Sequence, residues 1–188
     1  MSSDTVIPQY LRDKWLEKTG LDPLVVRDKI RNRTKVGTRS LLAALGLSVV
    51  FVVLVWAKLI PVTFVSVLGF IAPTAACGLV GVVANIRGDY YRRKLKEFSD
   101  EIDALCSCLL IQPIQLAIYD EHSLKHSAIN RLSHLADFIV NVQKVASPED
   151  QSLIQGVRHH LKTSFETFIY WGLIPPDRQI GDYFPAQH

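Results

Sequence analysis

From Ser40 to Ile86 a single charged side chain, Lys58, interrupts an otherwise uncharged run, with Pro61 three residues beyond it. A helix rises about 1.5 Å per residue and the hydrocarbon core of a bilayer is about 30 Å thick, so each crossing takes roughly 20 apolar residues. The run accommodates two crossings joined by a tight turn. Leu41 to Ala57, extended by Ser40 and the Lys58-Leu59 edge, forms the first (40–59), and Val62 to Ile86 the second (62–86), with Gly69 and Pro73 inside it. Backbone N–H and C=O groups must be paired internally in hydrocarbon, so both segments are expected to be helices. A buried hairpin of a soluble domain would show one polar face, whereas this run is apolar all round. A hairpin that dips into one leaflet and returns is the remaining alternative.

The flanks orient the hairpin. Arg27, Lys29, Arg31, Arg33, Lys35 and Arg39 precede the first crossing against one acid, Asp28; Arg87, Arg92, Arg93, Lys94 and Lys96 follow the second against Asp89. Lys and Arg concentrate on cytoplasmic loops, so both termini are expected in the cytoplasm. Trp56 and Lys58 then anchor the turn at the opposite interface. Little of the chain is exposed there, which argues against a receptor with a folded outer domain and against extracellular catalysis.

The formal charge of +3 conceals an asymmetry. Nine basic and five acidic residues precede Ser40, five basic and one acidic lie over Arg87 to Lys96, and six basic and twelve acidic follow from Glu97. Juxtamembrane cations each gain about 1 kcal/mol from an anionic leaflet. The basic residues are thereby accounted for by lipid headgroups, and with an acidic distal segment no nucleic-acid partner is expected. A cleavable signal is not expected either, because the apolar run starts about 40 residues in and is too long for a signal core. Cys77, Cys106 and Cys108 form an odd set without C-x-x-C spacing, consistent with reduced thiols.

Outside the run the periodicity is helical. Ile7, Leu11 and Trp15 recur every four residues before Thr19-Gly20, marking a short amphipathic helix that lies on the membrane or packs on its own protein. A second short helix from Pro23 leads into the basic run. Past the hairpin, Tyr91, Leu95, Phe98, Ile102, Leu105 and Leu109 alternate spacings of four and three, the pattern of a helix-association seam. Pro113 interrupts it, and Tyr119 to His122 reads as a connection. Ala128, Leu132, Leu135, Ile139, Val142 and Ala146 repeat the spacing. Ser147-Pro148-Glu149-Asp150 signals the start of a third helix with Ile154, Val157, Leu161, Phe165 and Phe168 on its core face, ended by Gly172 and Pro175-Pro176. The expected fold is an all-α membrane protein, a two-helix transmembrane hairpin with a cytosolic helical bundle. Its segments are 1–39 (N-terminal amphipathic and basic), 40–86 (hairpin), 87–174 (bundle) and 175–188 (tail).

Catalytic chemistry finds little support. His122 and His126 share a helix face with Glu121 nearby, but zinc needs three or four ligands and no further one stands at a diagnostic spacing. His126, Asn130, Asp137 and Asn141 read better as a solvated face. His159 and His160 are adjacent and point apart. Ser133, His134 and Asp137 do not converge on one helix, and no glycine-rich phosphate loop occurs. No cofactor, metal or enzymatic activity is expected.

Within the second crossing, Gly69, Ala72, Pro73, Ala76, Gly78 and Gly81 supply small residues at spacings near three and four, which permit close helix approach. No ionisable group marks a transport route in either crossing. The order of parts resembles the SLATT group: a basic helical lead, two apolar crossings with a very short turn, then Arg87-Gly88-Asp89-Tyr90-Tyr91-Arg92-Arg93-Lys94-Leu95-Lys96 running into a heptad helix. The resemblance covers roughly Arg27 to Leu110 and leaves the helices after Pro113 unaccounted for. It implies a bacterial inner-membrane, pore-forming defence effector; the two seams and the small-residue crossing themselves lead us to expect self-association, with the bundle controlling assembly or opening of a membrane lesion or channel. The alternative is a non-catalytic membrane adaptor, an immunity-type protein or a subunit of a larger complex, docking a protein partner on the bundle.

Overall fold

Every regular element among residues 7–145 and 150–184, which the computed structural model describes, is helical. The helices are α1 (Gln9–Thr19), α2 (Pro23–Trp56), α3 (Phe64–Leu109), α4 (Glu121–Val145) and α5 (Gln151–Tyr170), with short 3-10 turns at Gln115–Ile118 and Ile180–Tyr183. The start signal at Ser147, Pro148 and Glu149 and the seam position Ala146 lie outside the described residues.

α2 is one continuous helix, not a short helix followed by a crossing. No proline or glycine cap separates Pro23 from Trp56, and Gly37 alone does not break a helix whose flanks favour it. Its end is built by a Schellman motif: the Leu59 N–H donates to the Leu54 carbonyl and the Lys58 N–H to the Val55 carbonyl, each at 3.0 Å. Lys58 occupies the left-handed position with φ 55°, where glycine is the usual occupant. α3 opens with a reciprocal cap. Thr63 Oγ1 accepts from the Ser66 N–H at 3.2 Å, and Ser66 Oγ accepts from the Thr63 N–H at 3.0 Å. These bonds satisfy several of the backbone groups that a tight turn would strand.

The same devices shape the other ends. Gly20 (φ 68°) closes α1 with its N–H on the Leu16 carbonyl at 2.8 Å. Leu110 (φ 57°) closes α3 through Ile111 N–H to Cys106 O at 3.0 Å, and Gly172 (φ 67°) closes α5 through Leu173 N–H to Phe168 O at 2.8 Å. α4 begins at Glu121, inside the segment expected to be a connection, because the Asp120 carboxylate accepts from the Ser123 N–H at 2.7 Å and acts as the N-cap.

The chain divides into two compact units, Pro23–Lys96 and a second comprising Met1–Asp22 with Glu97–His188. These divisions differ from the sequence segments at 39/40 and 86/87, which follow composition. Helical pairing continues past the end of the apolar run, so the basic stretches belong with the hairpin.

In the second unit one core gathers Leu11 and Trp15 of α1, Phe98, Ile102, Leu105 and Leu109 of α3, Leu132, Leu135 and Ile139 of α4, and Leu161 and Phe168 of α5. Trp15 packs on Phe98 with ring centroids 5.1 Å apart, and Phe98 on Trp171 at 6.4 Å. α1 therefore packs on its own protein. Of the seam positions Leu95, Phe98, Ile102, Leu105, Leu109, Leu132, Leu135, Ile139 and Val142, this core buries Phe98, Ile102, Leu105, Leu109, Leu132, Leu135 and Ile139 within one chain. A heptad pattern specifies an apolar stripe and its period, and an intramolecular partner satisfies it as well as a second copy does.

Candidate membrane hairpin and its flanks

α2 and α3 pair antiparallel about the turn. On α2 the less exposed positions are Ile30, Arg33, Gly37, Ser40, Ala44, Leu47, Phe51 and Leu54. On α3 they are Val67, Phe70, Thr74, Cys77, Gly81, Ala84, Gly88, Tyr91 and Leu95. Spacings of three and four therefore run back to Val67, well before Tyr91 where the sequence reading begins its seam. Near the turn Phe51 and Phe70 meet with ring centroids 4.8 Å apart. At the other end Gly37 and Gly81 face each other so closely that a Cβ on Gly81 would stand 3.3 Å from the Gly37 carbonyl oxygen and 2.7 Å from Leu41 Cγ. A Cβ on Gly37 would likewise meet the Gly81 carbonyl oxygen at 3.3 Å. Small residues here set the interhelix distance.

Of the small residues singled out in the sequence, Gly81 alone occupies this contact. Ala72, Pro73 and Ala76 are exposed, and a Cβ on Gly69 or Gly78 would meet nothing within 4 Å. Pro73 lies inside α3 and has no N–H to give the Gly69 carbonyl four residues earlier. Gly37, on the partner helix and outside the apolar run, was not singled out. Its signal was a lone glycine among basic residues, which only the pairing register makes meaningful.

Two hydroxyls within the run are satisfied locally. Ser48 Oγ donates to the Ala44 carbonyl at 2.9 Å and Thr74 Oγ1 to the Phe70 carbonyl at 2.7 Å, back-bonds that suit an apolar surround. α2 and α3 are long and apolar enough to cross a bilayer, and only 6% and 11% of their most apolar windows are buried inside the protein. Core helices of soluble proteins bury most of such a window. Here Val and Leu side chains on the outward faces have no protein against them.

At the end of the hairpin away from the turn the structure gathers the basic residues of both helices. Gly88 lies against Arg33, with an added Cβ 3.9 Å from the Arg33 Cβ. Arg92 Nη2 donates to Thr34 Oγ1 at 3.2 Å and Nη1 pairs with Asp89 at 3.0 Å, an exposed pair worth at most about 1 kcal/mol. Lys29 Nζ lies 5.6 Å from the Tyr91 ring centroid. Lys35, Arg39, Arg87 and Arg93 are exposed, while Lys94 is half-buried. At the turn Trp56 is 86% exposed beside the exposed Lys58.

Among the described residues no three His, Cys, Asp or Glu side chains come together to hold a metal. His122 and His126 are exposed on α4. The perturbed groups of the bundle belong to packing. Tyr10 Oη donates to the carbonyls of Trp171 (3.0 Å) and Gly172 (2.9 Å), joining α1 to the end of α5, and burial with the nearby Glu121 charge pushes its pKa up to about 12. Lys18 Nζ sits 3.2 Å over the Tyr170 ring, its pKa lowered by desolvation. Burial, then a hydrogen bond to Glu101, raises Tyr170. Burial also pushes the Cys106 thiol up to about 11. Tyr10 and Lys18 latch α1 onto the bundle. Compared with protein-family models, with curated proteins and with solved structures, the chain matches none.

Proposed function

We propose that the chain is a non-catalytic membrane adaptor, held in the bilayer by the α2–α3 hairpin and presenting its helical bundle to a protein partner on the cytoplasmic side. The observation that carries this reading is the unburied apolar surface of both helices, which pair through a narrow seam and leave their remaining faces for lipid. Folding alone does not remove that surface from water, and hydrocarbon does at about 25 cal/mol per Å². The paired basic flanks, Arg33, Lys35 and Arg39 with Arg87, Arg92, Arg93 and Lys94, suit anionic headgroups at one interface, and Trp56 with Lys58 suits the other.

The burial of the heptad seams within one chain favours an adaptor over an effector assembled through those seams. The self-associating reading, with the pore implied by the SLATT resemblance, keeps one supporting observation, the exposed small residues Gly69, Ala72, Pro73 and Ala76 on the outer face of α3. Two measurements test the proposal. Full-length protein should float with liposomes after an alkaline carbonate wash, and extraction into the aqueous phase would refute the hairpin as anchor. Native mass in mild detergent should give a monomer, whereas a closed homo-oligomer would favour the effector.

A further inference from the structure

Between α4 and α5 lies an open groove of about 630 Å³. Phe138 and Leu153, both large and about half exposed, stand on its two walls. Gly156 forms part of the lining, and a Cβ there would meet nothing within 4 Å, so the helix face is hollowed at that point. Arg131, His134 and His160 supply most of its polar lining beside Ser152, and no carboxylate joins them among the described residues. The Arg131 Nε is buried without a hydrogen-bond partner. The charge on the lining, from Arg131, is thus basic in a segment that carries twelve acidic and six basic residues from Glu97 onward, so the local sign opposes that of its surroundings.

We infer that this groove docks an acidic amphipathic helix of a partner protein. An apolar trough between two helices receives a third helix through anchors at i, i+3 or i+4 and i+7, and Phe138 and Leu153 offer the complementary surface. The Arg131 guanidinium, with its fixed fork of donors on the groove wall, selects a carboxylate on the incoming helix, with the imidazoles of His134 and His160 as further donors. Basic helices are disfavoured by the same charge, which separates this surface from one that binds any apolar peptide. The inference rests on the adaptor reading and names the chemistry of its partner.

The test uses the full chain in nanodiscs and a displayed library of helical peptides in which charged and apolar positions vary independently. Enriched peptides are expected to carry Asp or Glu beside an apolar stripe and to lose about 30-fold in affinity on Gly156→Trp, which fills the hollow while improving helix propensity, and on Arg131→Glu. Leu153→Asp, at an exposed site, should act likewise where either of these variants alters the circular dichroism spectrum. Enrichment of basic peptides, or acidic peptides whose binding ignores all three substitutions, would overturn the inference. Carbonate-resistant flotation of the same preparation reports separately on the anchor. Groove-dependent binding without flotation removes the anchor alone, and flotation without such binding removes the groove alone.

Discussion

Replacing Gly81 by leucine should loosen the hairpin, whereas replacing Gly78, three residues away on the same helix, should not. A Cβ at position 81 would lie 2.7 Å from Leu41 Cγ, 2.9 Å from Leu41 Cδ2 and 3.3 Å from the Gly37 carbonyl oxygen. Carbon pairs are at their optimum at about 3.5–4.0 Å, so the first contact intrudes by roughly 1 Å. Leu41 can rotate toward its exposed side, but the Gly37 oxygen is backbone and moves only with α2. For Gly81→Ala the helix-propensity gain of about 1 kcal/mol offsets much of an overpacking cost of about 1–3 kcal/mol, leaving a small net change. For Gly81→Leu the remaining side-chain atoms must occupy space held by α2, and a net loss of about 2 kcal/mol is expected. A Cβ at Gly78 or Gly46 would meet nothing within 4 Å, so Gly78→Leu and Gly46→Leu should be neutral or slightly stabilising. The assay is crosslinking by a short bismaleimide between cysteines placed at Phe51 and Phe70, in a background lacking Cys77, Cys106 and Cys108, followed across a titration of SDS into mild detergent. Gly81→Leu and Gly37→Leu should shift loss of crosslinking to lower SDS. Equal behaviour of all four leucine variants would refute the close-contact argument, because the hairpin would then be held by its turn alone.

Three further outcomes follow from particular residues. Lys58→Gly relieves a left-handed backbone at the α2 terminus and should stabilise the hairpin by about 1 kcal/mol, read as a shift of the same SDS transition to higher concentration. Ser164 is fully buried on α5 with no partner for its hydroxyl, so Ser164→Ala should raise the bundle's thermal midpoint, removing an unpaired group worth about 1 kcal/mol; a lower midpoint would reveal a hydrogen bond. Cys106, with its thiol raised to about 11, carries roughly one part in a thousand of thiolate at pH 8 and should resist iodoacetamide in the folded protein. The folded form disfavours that thiolate, so stability is intact below the unfolded thiol pKa and falls as pH rises above it. Rapid labelling of Cys106 at pH 8 without unfolding would contradict its burial.

Much of the architecture is written in local chemistry. The uncharged run locates two helices and their turn because composition over some 20 residues reports directly on the solvent a helix suits. The caps Gly20 and Gly172 are legible because the left-handed backbone is a single-residue demand. The Lys58 and Leu110 termini were less visible, since the same conformation is forced there on residues that do not advertise it. Asp120 caps α4 within a stretch that reads as a connection, although its spacing to Ser123 carries the signal.

The sequence by itself determined that the chain is helical, that a hairpin lies between Ser40 and Ile86, and which stripes on the later helices are apolar, because each is a property of neighbours along the chain. Tertiary structure alone decided what each stripe faces. It turned the Phe98–Leu109 and Leu132–Ile139 seams inward on one core, brought Gly81 rather than Gly69 or Gly78 against Gly37, and opened the groove beside Phe138 and Leu153. A period of three and four fixes the direction of a face to within one helix. The identity of its partner depends on register and packing between segments far apart in sequence, where the deciding energies are contact distances that no local pattern contains.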